Sequence, residues 1–169
     1  MKMYKVAFSL PYYGKLEEVC MVKNQQLVNF LNQLLSNQFV LYVKLHRYHW
    51  FIQGSNFLTL HQQFENMYLK VAHDIDEIAE RILMIDGKPL ATMVKYLKES
   101  TLEEANADDE EQEIMQQLLQ DLLQIIMEIK TQGLPKAVEL NDSPTEDLLI
   151  DIQGAFEKYT WMLRAYLKQ

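Results

Sequence analysis

The sequence predicts an all-α protein: one domain of four long helices, with a short extra helix in a long connection between the second and the third. Three observations carry this expectation. Only five glycines and four prolines occur in 169 residues, while Leu, Gln, Glu, Lys and Met, which lose little entropy in a helix, are abundant. Apolar residues recur at spacings of three and four through four long windows. Those windows are separated by Gly54, by Gly87 with Pro89, and by Gly133 with Pro135, residue types that punctuate helices. A chain of this length buries about two-thirds of its unfolded surface, so a single domain over 1–169 is expected.

Residues 1 to about 20 hold Pro11, Gly14 and aromatics without helical spacing, and read as an N-terminal arm. The first long helix, about 24–53, carries Leu27, Phe30, Leu31, Leu34, Leu35, Leu41, Leu45 and Ile52. The second, about 56–86, begins behind Ser55 and Asn56, good N-cap types. It carries Phe57, Leu60, Phe64, Met67, Val71, Ile75, Ile78, Ile82 and Ile85. A crossover of about 88–109 follows, with a short helix at Leu90, Met93, Val94 and Leu97 and then an acidic run from Glu103 to Glu111. Ile114, Leu118, Leu122, Ile125, Ile126 and Ile129 define the third long helix, about 110–132, expected to end at Gly133 and Pro135. The fourth, about 144–167, starts at Ser143-Pro144-Thr145-Glu146, where Ser143 and Glu146 suit a capping box. Two short connections and one long crossover make the second and third helices parallel, which is the ferritin-like arrangement.

Charge and cysteine content narrow the function classes. A net charge of −8 and a pI near 5.0 give an acidic surface that repels a phosphate backbone. The lone Cys20 has no intrachain disulfide partner, which points to a reducing compartment and a cytoplasmic location. The apolar stretch Val6–Leu10 stops at Pro11, short of the roughly 7–15 residues of a signal-peptide core, and no run approaches the roughly 18 of a membrane span.

The second helix carries the chemistry. At 100° per residue its apolar stripe covers one side, and Thr59, Gln63, Asn66, Lys70, His73, Asp74, Glu77 and Arg81 fall on a wet face opposite. Between them a third strip holds His61, Glu65, Asp76 and Glu80, interleaved with Leu69, Ala72, Ala79 and Leu83. Small and apolar residues there suit a second packed surface, in which unpaired carboxylates cost several kcal/mol. A metal ion would compensate them.

His61 and Glu65 stand four apart, as do Asp76 and Glu80, so each pair points one way from adjacent turns. Corresponding members lie fifteen residues apart, roughly 22 Å at the helical rise, whereas a dinuclear site spans about 4 Å. Two copies meeting antiparallel about a two-fold axis near residues 70 and 71 bring His61 and Glu65 beside Asp76 and Glu80 of a neighbour. His49 of the first helix follows the inward row Tyr42, Leu45, Ile52 and can join them. Taken singly, His49 also fits an ordinary core histidine and the pairs ordinary surface decoration. His46 reads as a structural residue or one that supports the ligands, and His73 as a wet-face residue.

The string His49-Trp50, Gly54, Asn56-Phe57, Leu60-His61, then Asp76-Glu77 and Ala79-Glu80-Arg81, resembles the Dps family of mini-ferritins. The likeness covers the first two helices best, reaches Gly87-Lys88-Pro89, and is weaker beyond about residue 100 apart from Trp161. It implies a hollow homododecamer with inter-subunit ferroxidase sites at the two-fold axes. The ligands it implies are His49, His61 and Glu65 of one subunit with Asp76 and Glu80 of the next; the family usually has Asp where Glu65 stands, which puts occupancy of the second metal position in question. It also implies an iron-inlet pore lined by acidic residues near the start of the fourth helix, for which Asp142, Asp147 and Glu146 are the candidates. Trp50 lies next to His49, where it can intercept oxidising equivalents or simply pack.

These readings predict a ferroxidase that oxidises Fe²⁺, with hydrogen peroxide as the family's preferred oxidant and dioxygen as the other, and stores a ferric oxide core. Zinc is a substitute ion, because imidazole and carboxylate also bind it. Two other classes compete. A nucleoid-binding protective protein needs a lysine-rich tail, and Lys2, Lys5 and Lys168 supply too little positive charge, so DNA binding is expected to be weak or absent. A plain helical bundle used for protein contacts requires the strip on the second helix to be accidental.

Overall fold

The computed structural model describes residues 11–105 and 110–168. Its elements are α1 (Pro11–Phe51), α2 (Phe57–Met84), α3 (Met93–Glu99), α4 (Glu111–Glu128), a π turn (Ile129–Gly133), α5 (Leu134–Glu139) and α6 (Ser143–Tyr166). The bundle consists of α1, α2, α6 and the rod made by α4, the π turn and α5; α3 is the short helix of the crossover. His49 lies beside His61, and the Asn24 amide donates to the Ile85 carbonyl at 3.0 Å, so α1 and α2 are antiparallel. Asn37 meets Glu128 and Lys44 meets Asp121, so α4 is also antiparallel to α1 and therefore parallel to α2. This is the ferritin-like bundle.

The core forms where the helical period aligns apolar side chains. Leu27, Leu31, Leu35, Leu41 and Leu45 of α1, Ile78 and Ile82 of α2, Leu118, Leu122 and Ile125 of α4, and Leu149, Ile152 and Phe156 of α6 are all fully buried. Each such side chain contributes about 1.5–3 kcal/mol relative to exposure.

A second, polar set fixes the crossover to the bundle. The Asn37 amide donates to Thr101 Oγ1 and Glu128 Oε2, each at 2.9 Å, and its oxygen accepts the Thr101 backbone N–H at 2.8 Å. Gln124 donates to the Thr101 carbonyl, and Lys44 to the Glu103 carbonyl, both at 2.9 Å. Lys44 also pairs with Asp121 at 2.6 Å, with both side chains almost wholly buried. Burial pushes the Asp121 carboxyl up from its ordinary value against the opposing pull of Lys44.

Several expectations need correction. The arm drawn over 1–20 is helical from Pro11, and its first ten residues lie outside the described part. Proline suits a helix's first turn, and Gly14 costs only about 1 kcal/mol relative to alanine, so neither stops α1. Nor do Gly133 and Pro135 end the third helix. A π turn takes them up: the Leu134 N–H donates to the Ile129 carbonyl, and the widened register avoids the bond that proline cannot make. Gly133 serves close packing instead, since a Cβ there overlaps the Phe30 ring. Helix α2 ends with Asp86 in the left-handed region (φ 59°), and a Cβ on Gly87 falls 2.7 Å from Val28. Asn56 does not cap α2 with its side chain; its amide reaches Glu111 and the Tyr166 hydroxyl. Asp142, not Ser143, caps α6, accepting the Thr145 N–H at 3.2 Å. Asp74, assigned above to a wet face, is buried, because Lys70 one turn earlier neutralises it where α6 packs.

Candidate metal centre

Near the α1 C-terminus and the α2 N-terminus the two helices come close across a short connection, and two histidines meet there. The rings of His49 and His61 stack with centroids 3.6 Å apart and planes 22° apart. Each donates through Nδ1 to the other's backbone carbonyl at 2.8 Å. A carbonyl only accepts, so both Nδ1 atoms carry a proton, and in that tautomer of the neutral ring the Nε2 lone pair is the one left for a metal. A backbone bond that fixes the tautomer and leaves the second nitrogen open is how proteins present imidazole to a metal.

Glu65, one turn past His61, is half-buried. Gln62 donates to its Oε2 at 3.0 Å, and the Tyr68 hydroxyl lies 3.5 Å from its Oε1. Burial, and then the Glu65 charge, raise the Tyr68 phenol above its ordinary value, so it stays protonated as a donor. His46 donates through Nδ1 to the Tyr42 carbonyl at 2.9 Å, and its ring stacks on Tyr68 at 4.0 Å. Trp50 is 64% exposed and meets His46 edge-on at 5.5 Å.

Asp76 and Glu80 sit on the same strip of α2 but are exposed, and neither makes a hydrogen bond or ion pair among the described residues. Leu69 and Leu83 beside them are 57% and 59% exposed. One chain therefore brings His49, His61 and Glu65 to one end of α2 and leaves Asp76 and Glu80 toward the other. Among the described residues, no three His, Cys, Asp or Glu side chains converge into a metal-holding group. A groove of about 270 Å³ between α1 and α3, lined by residues such as Val43, Trp50, Met93 and Leu97, contains none of the five ligand candidates.

The pore candidates separate in the same way. Asp142 pairs with Arg81 at 2.5 Å and accepts the Thr145 hydroxyl at 2.6 Å, while Arg81 Nε donates to Thr145 Oγ1 at 2.7 Å. Partial burial pushes its carboxyl up, but Arg81 and Thr145 outweigh this and hold it below the ordinary aspartate value. Asp142 is thus committed to starting α6. Glu146 is half-buried in the first turn of α6, and Asp147 is exposed. Tyr68 and Gln62 also border Glu65, and their positions three residues after and before it on the same helix are the signal in the sequence that finds them.

Comparisons with known proteins identify the fold family. A family model described as a ferritin-like domain matches residues 28–169. DNA protection during starvation protein 2 of Bacillus anthracis is 42% identical over 146 residues, 86% of this chain and 99% of that protein. The crystal structure of a Dps protein from Bacillus brevis superposes with a TM-score of 0.84 at 38% identity, covering 86% of this chain and 97% of that one. A Dps protein from Vibrio cholerae, described as a member of a broad superfamily of ferritin-like diiron-carboxylate proteins, gives a TM-score of 0.82 at 36% identity, covering 86% of this chain and 91% of that one. Among the described residues, no helix is long and apolar enough to cross a membrane.

Proposed function

Since the chain belongs to the ferritin-like family and, within it, to the Dps proteins, we propose that it is an iron-storing ferroxidase that protects against oxidative stress. The observation that carries the reading is the reciprocal His49–His61 pair, whose Nδ1 atoms are tied to backbone and whose Nε2 atoms have no partner among the described residues, with His61 one helical turn before Glu65. Asp76 and Glu80, exposed on the same strip between apolar side chains, complete the ligand set when a second copy packs antiparallel on α2.

Ferrous iron is the substrate. Imidazole nitrogens suit Fe²⁺, and the carboxylates favour the ferric product further. Two Fe²⁺ ions give one electron each to hydrogen peroxide, which takes up two protons and leaves as two waters; dioxygen is the alternative oxidant. Ferric ions then mineralise as an oxide core within a hollow homododecamer in the cytoplasm. Asp147 and Glu146 are the proposed inlet carboxylates, and Zn²⁺ competes for the oxidation site.

Peroxide-driven Fe²⁺ oxidation by the purified assembly, followed by stopped-flow absorbance, tests this. The unsubstituted protein should show a fast phase that His61→Ala with Glu80→Ala abolishes; an unchanged rate rejects the assignment. A second reading, binding of DNA, draws on the name of the Bacillus anthracis relative. The net charge of −8 opposes it. Tight binding in a low-salt mobility-shift assay would reinstate it.

A further inference from the structure

Tyr68 lies three residues after Glu65 on α2, and its ring is held from the α1 side by three neighbours. It stacks on His46 at 4.0 Å and 27°, and meets His49 edge-on at 5.4 Å and 85° and Tyr42 edge-on at 6.2 Å. Its hydroxyl faces Glu65 Oε1 at 3.5 Å, about half an ångström longer than an ordinary O–H···O hydrogen bond, close enough for a small side-chain shift to close it. Gln62 holds the other carboxylate oxygen at 3.0 Å, but it is exposed and stands on the same helix as Glu65, so it carries no information about where α1 lies.

We infer that Tyr68 is a positioning residue for the metal centre, fixing the Glu65 carboxylate relative to the His49 imidazole so that α1 sets the place of a ligand carried by α2. Glutamate has one more rotatable bond than aspartate and gains more from such a guide. A single rigid ring in contact with one ligand and within reach of a second is the kind of outer partner whose loss lowers metal affinity without unfolding the protein. The inference rests on the metal-site reading proposed above.

Co²⁺ titration of the full-length protein, read by the visible ligand-field spectrum and by calorimetry, tests it across four proteins: unsubstituted, Tyr68→Phe, Glu65→Asp and the double variant. Tyr68→Phe keeps the ring and removes only the hydroxyl, so melting should hardly change while the Kd for Co²⁺ rises about tenfold. In the Glu65→Asp background the carboxylate is a methylene shorter and out of the phenol's reach, so adding Tyr68→Phe should change Kd by about twofold or less. An equal loss in both backgrounds, or none in either, overturns the inference. If the unsubstituted protein binds no Co²⁺, the metal-site reading falls and takes this one with it; if it binds while Tyr68→Phe binds equally well, only the role of Tyr68 falls.

Discussion

On one side of α1, Asn37 and Lys44 meet α4 and the crossover; on the other, His46 and His49 meet α2. The first seam buries its polar groups and uses them up, Asn37 on Thr101 and Glu128, Lys44 on Asp121 and the Glu103 carbonyl. The second leaves its groups half-buried and unfinished, with the Nε2 atoms of His49 and His61 open after each Nδ1 is tied to backbone. Both seams join two parts of the chain with polar side chains, but the imidazole Nε2 atoms of the second have no partner among the described residues. The closed seam is spent on holding α4 and the crossover in place; the open one is where a ligand from outside the chain can be taken up.

The largest expected effect breaks the closed seam. Lys44→Ala strands the Asp121 carboxylate in the interior and should cost about 3–5 kcal/mol in denaturant unfolding, while Co²⁺ affinity per folded molecule stays unchanged. Replacing both partners by apolar residues, Lys44→Met with Asp121→Leu, should recover most of that loss. A drop in metal affinity that tracks Lys44→Ala would show that the two seams are coupled and would undo the distinction.

A smaller effect lies where α2 meets the start of α6. Asp142→Ala removes a helix cap and the partner of Arg81, and should cost about 1–2 kcal/mol near neutral pH. Because the folded protein holds this carboxyl below its ordinary value, the contribution is complete above that value and is lost as pH falls through the depressed one. The destabilisation measured by urea unfolding should therefore shrink below about pH 4. A penalty that stays constant into acid would assign it to helix geometry alone.

Much of this was legible in the sequence for a definable reason. Periodicity fixes which face of a long helix is apolar, so the four rods, the short crossover helix and the separate strip on α2 all follow from spacing. Misreadings arose where tertiary contact overrides a local signal. Gly133 and Pro135 look like a stop, but the π turn carries the helix past them, and Phe30 packs into the space beside Gly133. Asp74 looks like a wet-face residue by angle alone, but α6 lies over it. Asp142 looks like a free pore carboxylate until Arg81, sixty-one residues earlier, takes it up. No local pattern announces a partner at that separation, nor that Tyr68 spans from α1 to Glu65.

The smallest effect on the fold is the sharpest test of the open seam. Asp76 and Glu80 have no partner among the described residues and stand one turn apart with like charge, so Asp76→Asn with Glu80→Gln should leave chemical unfolding within about 0.5 kcal/mol of the original, or slightly raise it. Metal binding should respond in the opposite sense. If a second copy brings these carboxylates to His49, His61 and Glu65, neutralising them removes two of the anionic donors and Co²⁺ binding should weaken by more than about a hundredfold, beyond the roughly 10–100-fold that loss of a supporting group costs. A fold that loses more than about 1 kcal/mol would mean the two residues serve their own chain. Unchanged binding on an unchanged fold would mean that the histidine end of α2 works alone, and that the antiparallel pairing of two α2 helices contributes nothing to the site.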